Sequence, residues 1–495
     1  MPYGNHLQVA STPLASSSTL HTDVEDKRTT HPPFTPLASS DTLIHHDEPH
    51  QSQTSDPEKC QDIEALKSGI KVDVSATSDI SYTPPDGGFK AWSTVLGASL
   101  VAFTTFGFSN GYGAFSDFYN AEYLTNFSPT LISMIGALQV FMLYIFAGVA
   151  GAVFDAVGPR YLIPSSGVIV VLSLFLLSFT QPQKIYQQFL CQSVLFSIGA
   201  TFGFFPAIAL MSHWFKMKMP YAVGCLVSGA SLGGIIFPIM LNTLIPRIGF
   251  GWTIRAIALI SLLCYLVAVL TIYPRRPTKP LPRFTQLLDF QGFKDPCYLF
   301  LALGCWFAVF SIWNPFFYVG LSAKMANPGS PLNEYYLAIL CATSIVGRVS
   351  PGLIAFRVGR FNLLWISTFL SATLIFALWY TSFSEANLVT FVVLYGIAAG
   401  PFFTLIPPCV ASISPIEKVG ARLGSIYAFM ASACLAGTPI GGMFIRTRTE
   451  ANFKHLILFS GLMAFYDLPL NYYPLYIYFT HILIHLYRFT CKPST

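Results

Sequence analysis

Charged residues are scarce in this 495-residue chain, at 10%, whereas hydrophobic residues make up 53%. A soluble globular domain usually carries about 25% charged residues, so most of this chain's surface is not suited to water. The net charge of +5 is small for the length, and no basic block points to a nucleic-acid partner. The composition therefore predicts a protein that crosses the lipid bilayer several times.

Several chemical motifs are also missing. The ten cysteines form no CxxC pair, which argues against a zinc site or a disulfide framework. There is no GxxxxGK[ST] loop, so we do not expect ATP to be the direct energy source. No cluster of His, Asp or Cys with catalytic spacing lies in the apolar segments. We therefore expect no metal, no cofactor and no enzymatic activity.

Composition divides the chain into four parts. Residues 1–84 are rich in Ser, Thr, Pro and His without an apolar period, which predicts a disordered cytoplasmic tail and not a cleavable signal peptide. Residues 85–273 and 296–495 each hold six apolar runs of roughly 20 residues, the length that spans a bilayer. A polar central loop, 274–295, separates them. The predicted spans are 91–115, 130–152, 161–180, 186–211, 220–245, 253–273, 296–320, 333–355, 361–381, 387–411, 421–444 and 455–487.

Basic residues favour alternate loops, as they do on the cytoplasmic side of membrane proteins. Arg160, Arg275, Arg357 and Lys418 lie in loops on the side of the N-terminal tail. The cluster at 446–454 in the last outward loop runs against this bias. We expect both termini to be cytoplasmic and, because the chain has no retention signal, a location in the plasma membrane.

The two halves repeat. GAVFDAVGPR, residues 151–160, follows the second span, and GLIAFRVGR, residues 352–360, follows the eighth. Glycines recur at an offset of 201 positions in these two segments. Two related six-helix halves are a known plan of carriers, in which the substrate path runs between the halves near mid-membrane. The repeat therefore favours a carrier over a channel or a receptor.

The first of these segments resembles the inter-helix signature of the major facilitator superfamily. In that signature the first glycine allows close helix contact, and the acid caps or pairs at a neighbouring helix end. The copy in the second half has Phe356 in place of the acid, which predicts a weaker latch. We expect the two loops to stabilise one facing state of the carrier. The predicted gating residues are Gly151, Asp155, Gly158, Arg160, Gly352, Arg357, Gly359 and Arg360.

The segment YTPPDGGFKAW at the start of the first span resembles the signature of the monocarboxylate porter family, in its fungal branch. Its residues here are Asp86, Gly87, Gly88 and Trp92. We expect Asp86 to cap the start of the first helix, the glycines to form a tight turn, and Trp92 to lie at the headgroup level. The resemblance extends to about residue 461 and includes FFPA at 204–207, IPPCVASISP at 406–415 and GTPIGG at 437–442.

This resemblance implies an all-α fold of twelve transmembrane helices in two pseudo-repeated six-helix bundles. It also implies alternating access and, often, proton-coupled passage of small organic anions. Animal members have a lysine late in the first span, where this chain has Asn110. They also have an acid and an arginine four residues apart in the eighth span, where this chain has Ser344 and Arg348. The missing acid removes an obvious proton carrier, so proton coupling stays open.

Arg348 is the leading candidate for substrate binding, because a guanidinium holds a carboxylate by two parallel hydrogen bonds. The alternative is that Arg348 anchors its helix by snorkelling to the interface. Asn110 and Tyr112 lie beside glycines, which fits either a cavity face or core packing. Aromatic residues of the seventh span favour a larger, flatter solute than lactate, or else they face lipid. These residues are Trp306, Trp313, Phe316, Phe317 and Tyr318.

The C-terminal residues depart from the family pattern. Asp467, Pro469 and Pro474 interrupt the region where the last helix is expected. Two explanations stay open, a genuine feature of this chain or a wrongly assembled reading frame after about residue 465.

The sequence thus predicts a secondary active transporter of a small organic solute, monocarboxylate-porter-like, for which a carboxylate and protons are candidate ligands. A first alternative is efflux of a fungal secondary metabolite by the same fold. An alternative of another class is a non-transporting nutrient sensor that signals through the tail.

Overall fold

Long helices joined by short turns dominate the region that the computed structural model describes. The described residues are 84–275, 280, 287–415, 418–445 and 449–490, with side chains described through 470. The predicted tail up to residue 83, residues 276–279 and 281–286 of the predicted central loop, and the basic residues at 446–448 lie outside them. Within the described ranges every regular element is a helix, as the all-α prediction requires.

The helices follow the predicted spans closely. We number them in chain order as α1 to α12, counting a helix with a short irregular turn as one and dividing the 53-residue helix at Gly249 into α5 and α6. Their bounds are Phe89–Tyr123 (α1), Pro129–Ile145 with Ala147–Val157 (α2), Pro159–Leu177 (α3), Ile185–Trp214 (α4), Met219–Thr271 (α5 and α6), Pro296–Ala326 (α7), Tyr336–Val358 (α8), Arg360–Trp379 (α9), Glu385–Ser412 (α10), Val419–Phe444 (α11) and Glu450–Thr490 (α12).

The 53-residue helix contains two spans. At 1.5 Å per residue its length is about 80 Å, far more than the ~30 Å of a bilayer core. Gly249 breaks it with φ 80° and ψ 164°, a conformation that favours glycine. Among the described residues, nine helices are long and apolar enough to cross a membrane, and α2, bent by 44°, makes a tenth. Dividing α5 from α6 raises the count to eleven, and the count of twelve stays a prediction.

The internal repeat has a structural counterpart at the turns between helices. Gly158 between α2 and α3 has φ 81° and ψ 165°, and Gly359 between α8 and α9 has φ 91° and ψ 147°. Gly249 adopts nearly the same angles. At these angles a residue with a Cβ is strained, so glycine at these positions lets each pair of helices fold back on itself.

The two halves pack on each other through related helices. A Cβ on Gly224 of α5 would lie 2.5 Å from the carbonyl oxygen of Arg348 on α8. A Cβ on Gly424 of α11 would lie 2.5 Å from the Cα of Gly148 on α2. Gly224 and Gly424 are 200 positions apart, and so are Gly148 and Arg348. The contact between α5 and α8 and the contact between α11 and α2 are therefore related by the internal repeat, and the interface is pseudo-symmetric. At the position of Gly148 in the first half, the second half has Arg348.

The last helix is continuous where the sequence predicted an interruption. Helix α12 runs from Glu450 to Thr490, passing through Asp467, Pro469 and Pro474. Prolines are tolerated in membrane helices because neighbouring helices and side chains bind the freed backbone groups. The expectation of a broken helix is wrong, and Asp467 is fully buried within the bundle.

Candidate functional site

Arg348 lies at the boundary between the two halves. Its residue is 1% exposed, and its Nη1 donates a hydrogen bond to the carbonyl oxygen of Val227 on α5, 2.8 Å away. The guanidinium also lies 5.2 Å from the ring centroid of Phe403 on α10. The side chain points into the protein, so snorkelling to the membrane surface is not its role.

Glycines on α8 and α10 fix the position of Arg348. A Cβ on Gly400 would lie 2.7 Å from the Cα of Gly347, and a Cβ on Gly396 would lie 2.5 Å from the carbonyl oxygen of Leu340. The helices therefore touch along their backbones, as small residues allow in membranes. Thr404 of α10 adds a hydrogen bond to the Arg348 carbonyl oxygen at 3.1 Å.

The charge of Arg348 has no carboxylate beside it among the residues that the structure describes. None of the ion pairs found there includes Arg348, and its Nε has no hydrogen-bond acceptor. Ser344, at the position of the family's acid, instead shares a hydrogen bond with Ser231 of α5 at 2.8 Å. A charge inside the membrane costs about 3 kcal/mol or more, so this cation is suited to an anionic partner from outside the chain.

Six rings from six helices form one connected set of ring contacts that reaches Arg348 through Phe403, and we call them the aromatic group. Centroids of neighbouring rings lie 4.6 Å (Phe106 to Phe204), 5.4 Å (Tyr144 to Tyr427) and 6.1 Å (Trp313 to Phe403) apart. Phe106 also lies 6.1 Å from Trp313 and from Phe403, which joins the two halves. The members are Phe106 (α1), Tyr144 (α2), Phe204 (α4), Trp313 (α7), Phe403 (α10) and Tyr427 (α11).

The aromatic residues of α7 mostly face inward. Trp313, Phe316, Phe317 and Tyr318 are all no more than 5% exposed, whereas Trp306 is partly exposed. Of the two predictions for this stretch, lipid contact is therefore wrong for four of the five residues. The ring of Trp313 belongs to the aromatic group.

Asn110 and Tyr112 are buried close to this site. Asn110 Nδ2 donates to the carbonyl oxygen of Ala230 at 3.3 Å, and its Oδ1 has no hydrogen-bond partner. The Tyr112 hydroxyl donates to the carbonyl oxygen of Ile132, and its ring lies 5.0 Å from that of Phe317. Asn110 thus keeps a free acceptor, whereas the Tyr112 hydroxyl is engaged within the first half.

The halves also touch at both ends of the helices. We call the end with the α2–α3 turn the motif end, where Gly148 meets Gly424. At the opposite end, Lys324 of α7 binds Asp117 of α1 at 3.0 Å and lies 3.6 Å from Glu334. The halves are therefore in contact at both ends of the helices as well as at Arg348.

The predicted gating residues are only partly placed as expected. A Cβ on Gly151 would meet no atom within 4 Å, so the expected close helix contact is absent there and occurs at Gly148 instead. Gly352 does make a close contact, because a Cβ added at this position would lie 2.4 Å from the Cα of Tyr221. Arg360 donates to the carbonyl oxygen of Pro408 at 3.1 Å. The side chains of Asp155, Arg160 and Arg357 lie at the exposed surface.

The DGG motif at the start of α1 caps a different helix from the one expected. Asp86 Oδ1 accepts hydrogen bonds from the backbone N–H groups of Lys216, Met217 and Lys218 at 2.5, 2.9 and 3.4 Å. These residues precede α5, not α1. Asp86 has φ 52°, and the following glycines complete the turn. Trp92 packs edge-on against Phe215 and Tyr221, at 5.2 and 5.8 Å.

Desolvation acts to raise the pKa of Asp86, but the three backbone hydrogen bonds outweigh it. The pKa of this carboxyl is consequently lowered from its ordinary value of 3.8. The charged carboxylate is therefore the form that holds the α4–α5 turn against the start of α1.

Sequence reasoning found Arg348 but missed most of the aromatic group. Phe106, Tyr144 and Phe403 lie in ordinary apolar runs and have no local signal, and Phe204 was noted only as part of the family motif FFPA. One indication was available for Tyr144, which lies 200 positions before Ser344 and therefore at the related place in the first half.

Comparison with known proteins gives a consistent result. Residues 95–438 match the family model described as Major Facilitator Superfamily. The MFS transporter asaE of Aspergillus flavus is 34% identical over 77% of this chain and 85% of its own length. The agnestins efflux protein of Paecilomyces divaricatus is 36% identical over 77% and 86%. The fujikurins efflux protein of Gibberella fujikuroi is 31% identical over 89% and 92%.

Solved structures agree on the fold. The nucleoside transporter NupG matches with a TM-score of 0.58 at 14% identity, covering 77% of this chain and 99% of its own. The human organic anion transporter MFSD10 matches with a TM-score of 0.60 at 13% identity, covering 79% and 100%.

Proposed function

Because this chain belongs to the Major Facilitator Superfamily, whose members move small solutes across membranes, we propose that it exports a flat organic anion of the secondary-metabolite class. In this proposal Arg348 binds a carboxylate or another ionised oxygen of the solute, and the aromatic group contacts its flat rings. The buried, uncompensated charge of Arg348 at the boundary between the halves is the observation that carries the proposal.

An anionic solute fits Arg348 for an electrostatic reason. Hydrogen bonds between a guanidinium and a carboxylate are charge-assisted and often paired, and they gain strength away from water. Only Nη1 is bound to Val227, and Nε has no acceptor. The remaining donors suit one carboxylate, which would neutralise the charge during passage.

A flat solute fits the aromatic group. Aromatic rings pair favourably in offset or edge-on arrangements at centroid distances of roughly 4.5–7 Å. The rings come from both halves, so a solute bound among them touches both, as alternating access requires. The names of two relatives, the agnestins and fujikurins efflux proteins, support export as the direction.

Import of a small monocarboxylate is the second candidate, and Arg348 favours it as well. Two residues weigh against it. Asn110 takes the place of the family's lysine, and the hydroxyl of Ser344, at the place of its acid, is bound to Ser231. A small monocarboxylate would also leave most of the aromatic group without contact.

The same proposal assigns roles to the motifs and the membrane. The turns at Gly158 and Gly359, with Asp155, Arg160, Arg357 and Arg360 beside them, would stabilise the state closed at the motif end. That end would face the cytoplasm, with both termini, in the plasma membrane. Proton coupling, if present, would need an acid other than residue 344.

Comparative metabolite profiling tests this function. Cells with and without the protein are compared for compounds inside and in the medium. Export predicts an aromatic organic acid that accumulates inside when the protein is absent. A compound left unused in the medium would instead favour import. If no compound changes in amount, the result would favour the alternative of a non-transporting sensor that signals through its tail.

Two variants sharpen the assignment. Arg348→Ala should reproduce the accumulation seen without the protein, at an equal amount of protein in the membrane. Arg247→Ala is the matched control, because Arg247 is exposed at the end of α5, and it should export normally. If Arg348→Ala also exports normally, Arg348 does not bind the solute.

A further inference from the structure

Basic side chains gather at the motif end around the DGG turn, away from the central site. Lys216 and Lys218 lie in the turn between α4 and α5, Lys90 is in the first turn of α1, and Arg275 follows the end of α6. All four residues are exposed. We call these four residues the basic patch.

Hydrogen bonds of Asp86 and Trp214 bring the segments of the basic patch together. The Asp86 carboxylate accepts from the backbone N–H groups of Lys216 and Lys218, and the backbone N–H of Asp86 donates to the carbonyl oxygen of Trp214 at 3.0 Å. The Trp214 indole N–H donates to the carbonyl oxygen of Tyr273 at 3.0 Å. The start of α1, the α4–α5 turn and the end of α6 are therefore joined at one place.

Two cations of the patch lie over aromatic rings of these segments. The Arg275 guanidinium lies 5.4 Å from the ring centroid of Trp214, and the Lys90 ammonium lies 5.9 Å from that of Tyr273. A cation within about 6 Å of a ring centroid is attracted by the ring. Because Trp214 and Tyr273 are hydrogen-bonded to each other, these two cations are held on neighbouring supports.

The lysines of the patch keep an excess of positive charge. The Asp86 carboxylate is engaged by three backbone N–H groups through a single oxygen. In the described part of the chain, none of the ion pairs includes Lys90, Lys216 or Lys218. A surface with one sign of charge raises the local concentration of the opposite sign. The patch is therefore suited to an anionic partner.

Exposed apolar side chains lie beside these cations. Phe89 is 89% exposed, Met217 is 68% exposed and Trp92 is 38% exposed. Phe89 and Trp92 flank Lys90 along the start of α1, and Met217 separates the two lysines of the turn. Since α1 is long and apolar enough to span the membrane, its start lies near the membrane surface, where tryptophan is enriched. Cations and apolar groups on one surface fit an amphipathic anion.

We propose that the basic patch binds the headgroup of an anionic phospholipid, with Phe89 and Met217 against its acyl chains. Clusters of about four to eight basic residues beside a span, on the cytoplasmic side, attract such lipids, and this is the side on which we place the motif end. The inference goes beyond the proposed function, because it concerns a lipid and not the transported solute. A bound lipid would hold the start of α1, the α4–α5 turn and the end of α6 together.

Titration of the purified full-length protein with a short-chain lipid tests the proposal. The probe is short-chain phosphatidylinositol bisphosphate in an uncharged detergent, and the melting temperature is measured against its concentration. We expect a saturable rise in Tm of a few degrees, because the lipid binds the folded protein, and a weaker rise at high salt. Short-chain phosphatidylcholine, which has no net charge, should give no such rise. An equal rise with both lipids would overturn the proposal.

A double variant locates the site. Lys216→Gln with Lys218→Gln keeps the backbone N–H groups that bind Asp86, so its Tm without lipid should match that of the wild type. Loss of two charges near the membrane surface should raise the lipid concentration at the midpoint by roughly thirtyfold. The matched control, Lys184→Gln with Arg247→Gln, changes two exposed bases at the opposite end and should keep the midpoint. An unchanged midpoint in the first double variant would overturn the proposal.

The soluble headgroup inositol trisphosphate distinguishes a lipid from a free phosphate compound. Phe89→Ser should weaken the response to the lipid and leave the response to the soluble headgroup unchanged. Equal midpoints for the two probes in the wild type, with no effect of Phe89→Ser on either, would show that the lipid assignment is wrong. Arg348→Ala should respond to the lipid as the wild type does, so failure of the export proposal is distinguishable from failure of this one.

Discussion

The Nη1 atom of Arg348 on α8 lies 2.8 Å from the carbonyl oxygen of Val227 on α5, so a side chain of the second half binds the backbone of the first. In the proposed mode of binding, a solute carboxylate takes the remaining donors of the same guanidinium. The solute and the contact between α5 and α8 therefore depend on the position of one side chain.

We expect Arg348→Lys to impair export although it keeps the charge. Lysine presents a compact ammonium instead of a planar fork and loses the paired geometry. One charge-assisted hydrogen bond contributes about 1.5–3 kcal/mol, so efflux should fall by roughly tenfold or more. The measurement is intracellular accumulation at equal protein amounts. Wild-type efflux by Arg348→Lys would mean that charge alone is sufficient.

We expect Gly424→Ala to disrupt the motif end. The new Cβ would lie 2.5 Å from the Cα of Gly148, and overpacking of this kind costs about 1–3 kcal/mol. The melting temperature should fall. The matched control is Gly151→Ala, whose Cβ meets nothing within 4 Å, and which should stabilise α2 by up to about 1 kcal/mol through helix propensity. Equal effects of the two substitutions would show that this contact does not hold the halves together.

At the opposite end, Lys324 and Asp117 join the halves at 3.0 Å. We expect Asp117→Lys or Lys324→Asp alone to speed hydrogen exchange at the ends of α1 and α7, because each places like charges together. The exchanged pair, carrying both substitutions, should restore slow exchange. Both side chains are partly exposed, Asp117 at 20% and Lys324 at 36%. The coupling free energy between the two charges should therefore be about 1 kcal/mol or less. Exchange in the double variant as fast as in the singles would contradict a direct ion pair.

The cap formed by Asp86 predicts a dependence of stability on pH. Its pKa in the folded protein is lowered, so the stabilisation is complete above the unfolded pKa of about 3.9 and is lost as pH falls through the folded pKa. Asp86→Asn keeps a carbonyl acceptor but has no charge. The difference in Tm between wild type and Asp86→Asn should therefore shrink below about pH 4. A difference that is constant with pH would exclude this cap.

Asp86→Ala removes the acceptor altogether. Loss of a capping side chain costs about 0.5–2 kcal/mol, so we expect a lower Tm at neutral pH than in Asp86→Asn. Identical melting of the two variants would mean that the carboxylate acts through its charge and not through its hydrogen bonds.

Features that depend on local chemistry were predictable from the sequence. The apolar runs gave helices within a few residues, and the glycines at 158 and 359 marked turns that need a positive φ. Arg348 stood out because a charge in an apolar run is rare. The repeat offset related the two halves before any contact was known.

Features that depend on distant partners were not predictable. Asp86 looked like the cap of its own helix, but its partners begin 130 residues later, at Lys216. Gly151 matched a motif, whereas the close contact falls at Gly148, because the bend of α2 and the path of α11 decide which glycine faces a neighbour. Phe106 and Phe403 become part of one aromatic group only when the halves pack together.

The central claim is that Arg348 and the aromatic group bind a flat organic anion, and transport of one compound in two forms tests it most directly. The compound is the exported acid identified by metabolite profiling, and it is compared with its carboxyl-methylated derivative in membrane vesicles that contain the wild type or Arg348→Ala. We predict that the wild type transports the acid and not the methylated form, and that Arg348→Ala transports neither. Equal transport of both forms by the wild type, or unchanged transport of the acid by Arg348→Ala, would contradict the account.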